Sequence, residues 1–330
     1  MIAICLLGFP GEGGAMPQQS VVAAQEQAAM QMDVMMFRIK MFHREVKSTL
    51  LGIMELPFFK EYFSLQESAN NSLDSMGVMQ FSPNQIKLRQ KIEAWALILH
   101  KKFPIGEACL IDRQGQEHLR MVQGKLEDSQ FFSADESDSP FFKATFALKE
   151  GEVFTSEPYM SPDSMHWVTA YTAPVVLDTG DKPAFFHFEI PLDVYGKLIS
   201  TVDYSYSMAH QAAKADKDEE GRFFIVNKDG LVVADSRNQI SFELKKAANP
   251  DADFRPGEKL VDYLPKFASI MTDSKFQEAI SRLREAKSGM VQLSLKDHDY
   301  ILLFQPIPGS SWTLVHLDPV GGKGFWEKKD

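Results

Sequence analysis

A short block of sequence occurs twice, and it constrains the fold more than any other feature. Leu110-Ile111-Asp112-Arg113-Gln114-Gly115 is echoed by Ile225-Val226-Asn227-Lys228-Asp229-Gly230. In each copy an apolar strand runs into Asp or Asn, a Gly follows three residues later, and a second extended run begins. Asn, Asp and Gly are the residues that accept the backbone angles of a tight hairpin. Each block has a later strand-like partner, Val168 to Val175 in the first half and Tyr300 to Ile307 in the second. An internal repeat of this kind predicts two copies of one small module in series. With 330 residues there is room for two or three domains, each with its own core.

Composition narrows the function classes. At 44% hydrophobic and 24% charged residues the chain is an ordinary globular one. Its net charge of −10 and the lack of a dense basic stretch give nucleic-acid binding no electrostatic support. The two cysteines, Cys5 and Cys109, cannot build a disulfide framework or a cysteine-based metal site. Cys109, inside a strand-like run, reads as a small buried hydrophobe. The apolar run Met1 to Phe9 is too short to span a bilayer. It reads as the core of a secretory leader, with cleavage expected near Ala15 or Ala24, although the usual basic start is missing. The expected location is therefore extracytoplasmic.

Ahead of the repeats, the sequence predicts one long helix from Ser20 to Leu51. Ala28, Met32, Met35, Ile39, Phe42, Val46, Leu50 and Ile53 recur at steps of three and four and form a single apolar stripe. Such a helix spans roughly 45–50 Å at 1.5 Å per residue, more than the width of one small module. It suits a spine for both, with its methionine-rich stripe serving as core or as a dimer seam. Pro57 is expected to end it. A second amphipathic helix is predicted from Asn84 to Phe103. Beyond it, strands alternate with short helical stretches: a hairpin over 106–123, a helix around Phe141 to Leu148, and strands at Val153–Ser156, Trp167–Val175 and Ala184–Ile190. A helix follows from Leu192. The charged run 214–220 reads as a solvated linker. The second module has a hairpin over 222–235, a helix over 273–286 and three strands at 290–296, 299–307 and 311–317. The expected fold class is α+β, a long N-terminal helix with two PAS-like antiparallel-sheet modules in series. Residues 1–19 are expected to be a leader, 20–104 the two helices, 105–205 the first module and 206–330 the second.

Four stretches together carry a family resemblance: Ser139-Pro140-Phe141-Phe142-Lys143-Ala144-Thr145; Thr155-Ser156-Glu157-Pro158-Tyr159; Ala173-Pro174-Val175 with Phe188-Glu189-Ile190-Pro191-Leu192; and Phe224 to Gly230. In order and spacing they resemble the double Cache family, the extracytoplasmic sensor domains of chemoreceptors, histidine kinases and diguanylate cyclases. The resemblance implies a membrane-distal first module that binds a small molecule and a membrane-proximal second module that does not. Many amino-acid-binding members carry Arg-x-Trp-Tyr, whose Arg holds the ligand carboxylate. Here the matching positions are Ser139, Pro140, Phe141 and Phe142. Serine cannot give the bidentate grip of a guanidinium, which argues against a standard α-amino acid. The family's acidic residue, which receives the ligand amine, matches Glu189. A carboxylate beside Phe141 and Phe142 suits an amine or other cation.

The candidate ligand-binding residues are therefore Phe141, Phe142, Tyr159, Ser161, Asp163, Thr169, Tyr171 and Glu189. Tyr159 offers a phenol, and Ser161 and Asp163 sit on a loop supported by the sheet. Strand alternation groups Trp167, Thr169 and Tyr171 on one face, turned either to the pocket or to the helices. Glu189 lies in an apolar strand, where a carboxylate must be paired or have its pKa raised. No catalytic site, metal site or cofactor is expected. The sequence holds no nucleophile elbow, His-Glu-x-x-His, P-loop or Rossmann glycine run. Asn227-Lys228-Asp229-Gly230 starts like a calcium loop but lacks the downstream bidentate glutamate. The expected partners are a small-molecule ligand, a second copy through the long helix, and a membrane-bound signalling partner or an output domain of a longer chain. The alternative is a ligand-free module that contacts a partner receptor.

Overall fold

The structure is a computed structural model and describes residues 18–69, 72–75, 77–200, 221–236, 288–295 and 298–320. Residues 1–17 of the expected leader, the charged stretch 214–220 and the helix over 273–286 lie outside these residues, while residues 18 and 19 already belong to α1. In chain order the elements are α1 (Gln18–Met54), α2 (Pro57–Ser64), α3 (Gln66–Ala69), β1 (Ser72–Leu73), β2 (Met79–Gln80) and α4 (Pro83–Lys102). Next come β3 (Glu107–Asp112), β4 (Glu117–Val122), β5 (Lys125–Leu126), α5 (Phe142–Ala147), β6 (Phe154–Thr155), β7 (Tyr159–Ser161), β8 (His166–Val175), β9 (Ala184–Pro191) and α6 (Leu192–Ser200). The rest are β10 (Arg222–Val226), β11 (Val232–Asp235), β12 (Gly289–Leu295), β13 (His298–Pro306) and β14 (Thr313–Pro319).

These elements pack as two compact units. Among the described residues one unit runs from Phe42 to Val194, and the other combines the chain up to Met41 with Tyr195–Ser200 and everything after it. Each unit holds one large sheet, and Phe42–Val194 also holds the two-stranded pair β1-β2. The first sheet runs β5-β4-β3-β9-β8-β6, with β7 also paired to β8, and the second runs β11-β10-β14-β13-β12. All pairings are antiparallel. In both sheets the first strand of the repeat lies between its hairpin partner and the last strand of the unit. The repeat is thus one topology used twice.

The repeated block builds the same turn atom by atom. Asp112 Oδ1 accepts from the backbone N–H of Gln114 at 2.8 Å and of Gln116 at 2.9 Å. Asn227 Oδ1 accepts from Asp229 at 3.0 Å and from Leu231 at 2.9 Å. Gly115 and Gly230 follow with φ of +91° and +79°, where a Cβ is disfavoured. At Gly115 a Cβ would also stand 2.5 Å from Asp135 Oδ1. Both hairpins shift register at the residue pair before the turn, Leu110/Ile111 and Ile225/Val226.

The helices follow from local chemistry. Helix α4 starts on a capping box: Ser82 Oγ accepts from Gln85 N–H at 3.2 Å, and Gln85 Oε1 accepts from Ser82 N–H at 2.8 Å. Pro83 occupies its first turn, while His100, Lys101 and Lys102 favour the negative end of the helix dipole. Along α1 the predicted stripe is buried, except that Phe42 is half-buried. Pro57 does more than end α1, since it opens α2, whose Phe58, Phe59, Tyr62 and Phe63 are all buried. In the second unit Trp312 lies edge-on to Tyr195 at 5.0 Å, and Phe223 stacks on His316 at 4.0 Å.

Candidate functional site

Strand register decides which side chains meet. In the first sheet Cys109 pairs with His187 across β3 and β9 and with Arg120 across β3 and β4. Ala170 faces Glu189, and Tyr159 faces Val168. Directly opposed residues share a face. One face therefore carries Glu107, Cys109, Ile111, Arg120, Ala170, Phe185, His187 and Glu189, with Tyr159 and Ser161 beside them. The other carries Leu110, Thr169, Tyr171, Phe186 and Phe188.

The first face holds a buried polar cluster. Tyr159 donates its phenol proton to Glu189 Oε1 at 2.5 Å. A Cβ on Gly106 would lie 3.2 Å from Ser164 Oγ and 3.7 Å from Glu189 Oε2, so glycine lets the backbone approach the carboxylate closely. Ser161 Oγ accepts from Ser164 N–H at 3.2 Å and holds the loop over the sheet. Arg120 pairs with Asp163, with Glu107 at 3.4 Å and with Glu117 at 3.7 Å. Three carboxylates thus surround one guanidinium, and Glu189 is held by Tyr159 instead. Phe141 covers the cluster, 4.6 Å from the His187 ring and 5.9 Å from Tyr159 between centroids.

The electrostatics follow first from burial and then from these charges. Burial pushes Glu189 up to about 7, against the Tyr159 and Ser161 hydroxyls, and the Asp163 charge adds to the rise. Burial likewise raises Glu117 to about 7, with Arg120 opposing. Glu107 stands well above the usual carboxylate range, through burial and then the charges of Glu189, Asp163 and Glu117. Burial and then Arg120 hold His187 neutral, down at about 3. Burial acts to lower Arg120, but the surrounding carboxylates outweigh it and keep it charged.

Glu107, Cys109 and Glu117 place three donor atoms within 4.8 Å of one another, a spacing that can hold a metal. Arg120 already supplies the positive charge there, and burial keeps the Cys109 thiol protonated, donating to Glu107 Oε1 at 3.5 Å. That donor set fits a guanidinium better than a divalent cation.

The structure brings together Phe141, Tyr159, Ser161, Asp163 and Glu189 of the sequence-derived candidates. Phe142 borders them in an apolar cluster with Phe141, Tyr159 and Phe185. Its outer side lines a solvent-facing depression of about 470 Å³ with Arg113, Lys143 and Lys182. Thr169 and Tyr171 are placed elsewhere, on the helix-covered face. Thr169 donates to the Ser156 carbonyl at 2.7 Å, and Tyr171 hydrogen-bonds His43 of α1 at 2.7 Å while stacking on Phe188. Ser139, in place of the family's Arg, donates to Glu136 Oε2 at 2.7 Å. Sequence reasoning missed Glu107, Arg120, Glu117 and His187. Alternation from Cys109 would have brought in Glu107, but Arg120 needed the β3–β4 register.

No family model and no curated protein matches the sequence. Solved structures do match in shape. The sensory domain of the Campylobacter jejuni chemoreceptor Tlp3, with isoleucine bound, covers 93% of this chain and 98% of its own at 12% identity and a TM-score of 0.56. The extracellular domain of vpHK1S-Z8, assigned as a histidine kinase, covers 96% and 100% at 13% identity and a TM-score of 0.60. A domain of a sensory box/GGDEF family protein from Vibrio parahaemolyticus covers 91% and 97% at 13% identity and a TM-score of 0.54. The chain shares the fold of these sensory domains, which is consistent with the double Cache-type plan. Its long helix and two antiparallel sheets are the two-module plan expected from the repeat. No helix among the described residues is long and apolar enough to cross a membrane.

Proposed function

We propose that the chain is an extracytoplasmic sensory domain that binds a small molecule with a cationic group in the first, membrane-distal module. The observation that carries this reading is the charge imbalance on one buried sheet face. Glu107, Glu117 and Glu189, with Asp163 at the edge, have Arg120 as their one paired cation among the described residues. An ammonium beside Glu189 and Tyr159 would offset the cost of burying those carboxylates. Phe141 and Tyr159 would supply aromatic faces to it. A standard α-amino acid fits less well, because Ser139 replaces the family's carboxylate-binding Arg and Arg120 is engaged by three carboxylates of its own chain. In the receptors this fold resembles, such a domain reports to a membrane-bound signalling partner or output domain. Ligand binding would do so by shifting the population of two states.

The test is thermal stabilisation of the purified chain by mono- and polyamines, quaternary ammonium ions, amino acids and carboxylates. An amine should raise the melting temperature with the logarithm of its concentration. Glu189→Gln should abolish that shift and still fold. Stabilisation by a carboxylate alone, or an amine shift unchanged by Glu189→Gln, would overturn the cationic reading. A second reading, a ligand-free module that contacts a partner receptor, is favoured by the way Arg120 closes the cluster from within. Its signature is no stabilisation across the whole panel.

A further inference from the structure

The solvent-facing depression beyond Phe142 lies where α5 meets the β3–β4 turn and the β8–β9 hairpin. Phe142 and Phe146, one turn apart on α5, form its apolar wall. Their rings meet edge to face at 5.0 Å, and Phe185 backs them at 5.6 and 5.3 Å. Three cations stand around these rings: Arg113 from the turn, Lys143 from α5 and Lys182 from the hairpin. Asp181 is the one carboxylate of the lining. In a chain of net charge −10 that is a local reversal of sign. The carboxylates nearby in sequence, Glu150 and Asp178, are each taken by Lys60 at 3.3 Å.

The rim is tied in place by the fold itself. Leu177 N–H donates to the Asp181 carbonyl at 2.9 Å and Gly180 N–H to the Leu177 carbonyl at 2.8 Å, which closes the hairpin loop. Arg113 Nη2 donates to Asp181 Oδ1 at 2.6 Å, and Nε and Nη2 donate to the Lys182 carbonyl at 3.1 and 2.6 Å. Lys182 Nζ donates to the carbonyls of Phe146, at 2.9 Å, and Leu148, which joins the loop to the end of α5. Donors are left over. The Lys143 ammonium, one N–H of Lys182 and both N–H groups of Arg113 Nη1 have no acceptor among the described residues. An anion could take them without breaking a bond the fold uses, and a rim already ordered lowers the cost of binding. We infer that this depression binds a small aromatic carboxylate, its carboxylate between Lys143, Lys182 and Arg113 and its ring against Phe142 and Phe146. A guanidinium edge beside two ammonium groups matches a planar carboxylate. Two phenyl rings match an aromatic body, and a volume of about 470 Å³ suits a ligand of that size. Inorganic phosphate would leave the rings in water, and a neutral aromatic would leave the cations unpaired. The inference does not rest on the cationic reading, because the two sites share only Phe142, whose other side borders the buried cluster.

The experiment is titration calorimetry of the full chain with benzoate, phenylacetate, acetate, benzamide and inorganic phosphate, with circular dichroism to verify folding. Benzoate or phenylacetate should bind, and the other three should bind more weakly by roughly tenfold or more, each lacking the ring or the carboxylate. Lys143→Glu should weaken the aromatic carboxylate by roughly tenfold. Because Lys143 is exposed, its replacement leaves the core intact. Glu189→Gln should leave this affinity unchanged, and Lys143→Glu should leave amine binding unchanged, so the failure of one site is separable from the failure of the other. No binding of either aromatic carboxylate would overturn the proposal, as would binding indifferent to Lys143→Glu. Acetate or phosphate as tight as benzoate would overturn the role of the rings, and benzamide as tight would overturn the role of the cations. Binding lost in Glu189→Gln but kept in Lys143→Glu would put the ligand in the buried cluster and overturn the separate site.

Discussion

At the residue scale, Glu189 ties the stability of its unit to pH. Its carboxyl titrates near 4.5 when the chain is unfolded and at about 7 when folded, because burial disfavours the charged form. Between those values the folded state holds a proton that the unfolded state has lost. Stability therefore falls as pH rises from about 4.5 to about 7, and the full penalty persists above 7. Glu189→Gln removes the ionisation while its amide oxygen can still accept from Tyr159. The variant should match wild type near pH 4 and be more stable at pH 8 by on the order of 1–3 kcal/mol. Urea unfolding at the two pH values measures this, and an equal effect at both would refute the assignment. The same linkage predicts that a bound amine draws the proton off Glu189. Affinity should then rise between pH 6 and pH 8, by up to tenfold per pH unit for each proton released. Titration calorimetry in buffers of different ionisation enthalpy would count those protons.

At the element scale, the two hairpins share their geometry but differ in what their first residue supports. Asn227 only closes its turn, whereas Asp112 also accepts, on Oδ2, from His118 Nε2 at 3.0 Å, and His118 Nδ1 in turn meets the Tyr62 hydroxyl at 2.8 Å. His118 is fully buried. Asn227→Ala should cost about 1–2 kcal/mol for two lost backbone hydrogen bonds. Asp112→Ala should cost roughly 1–3 kcal/mol more, since it also strands a buried imidazole. Asp112→Asn, which keeps the turn, should fall between. Chemical denaturation of the three variants ranks them. The contrast marks how far the sequence could be read. Turn chemistry is local, so the repeat and both hairpins were legible in Asp112, Asn227 and their glycines. The α1 and α4 stripes were legible because a helix repeats every few residues. Helix α2 was hidden, because Pro57 reads as a stop while the aromatic residues behind it make it a start. Glu189 stood out as a charge in an apolar strand. Arg120 and Glu117 did not, because the register shift between Leu110 and Ile111 separates their pairings and breaks the alternation that would relate them. Thr169 and Tyr171 were grouped correctly on one face, but alternation cannot say which face the helices cover.

At the scale of the whole molecule, the described residues form two compact units that share one chain in an interleaved order. The candidate cluster lies wholly within Phe42–Val194, while Phe224, Trp312 and Leu314 are core residues of the other unit. A ligand that binds only the folded cluster stabilises the unit that contains it, and about 2.7 kcal/mol is expected at a hundredfold excess over Kd. For a unit of this size that corresponds to a shift of roughly 5–10 °C. Scanning calorimetry should therefore resolve two transitions, only one of which moves with ligand. Phe224→Ala, which removes a fully buried ring, should lower the other by several degrees and leave the ligand-dependent transition in place. If a single transition moves as a whole with both ligand and Phe224→Ala, the two units unfold together. The continuous helix α1, which gives its first part to one unit and its last part to the other, would then be the element that couples them. In that case a helix-breaking Gly substitution at an exposed position such as Lys40 should split the single transition into two.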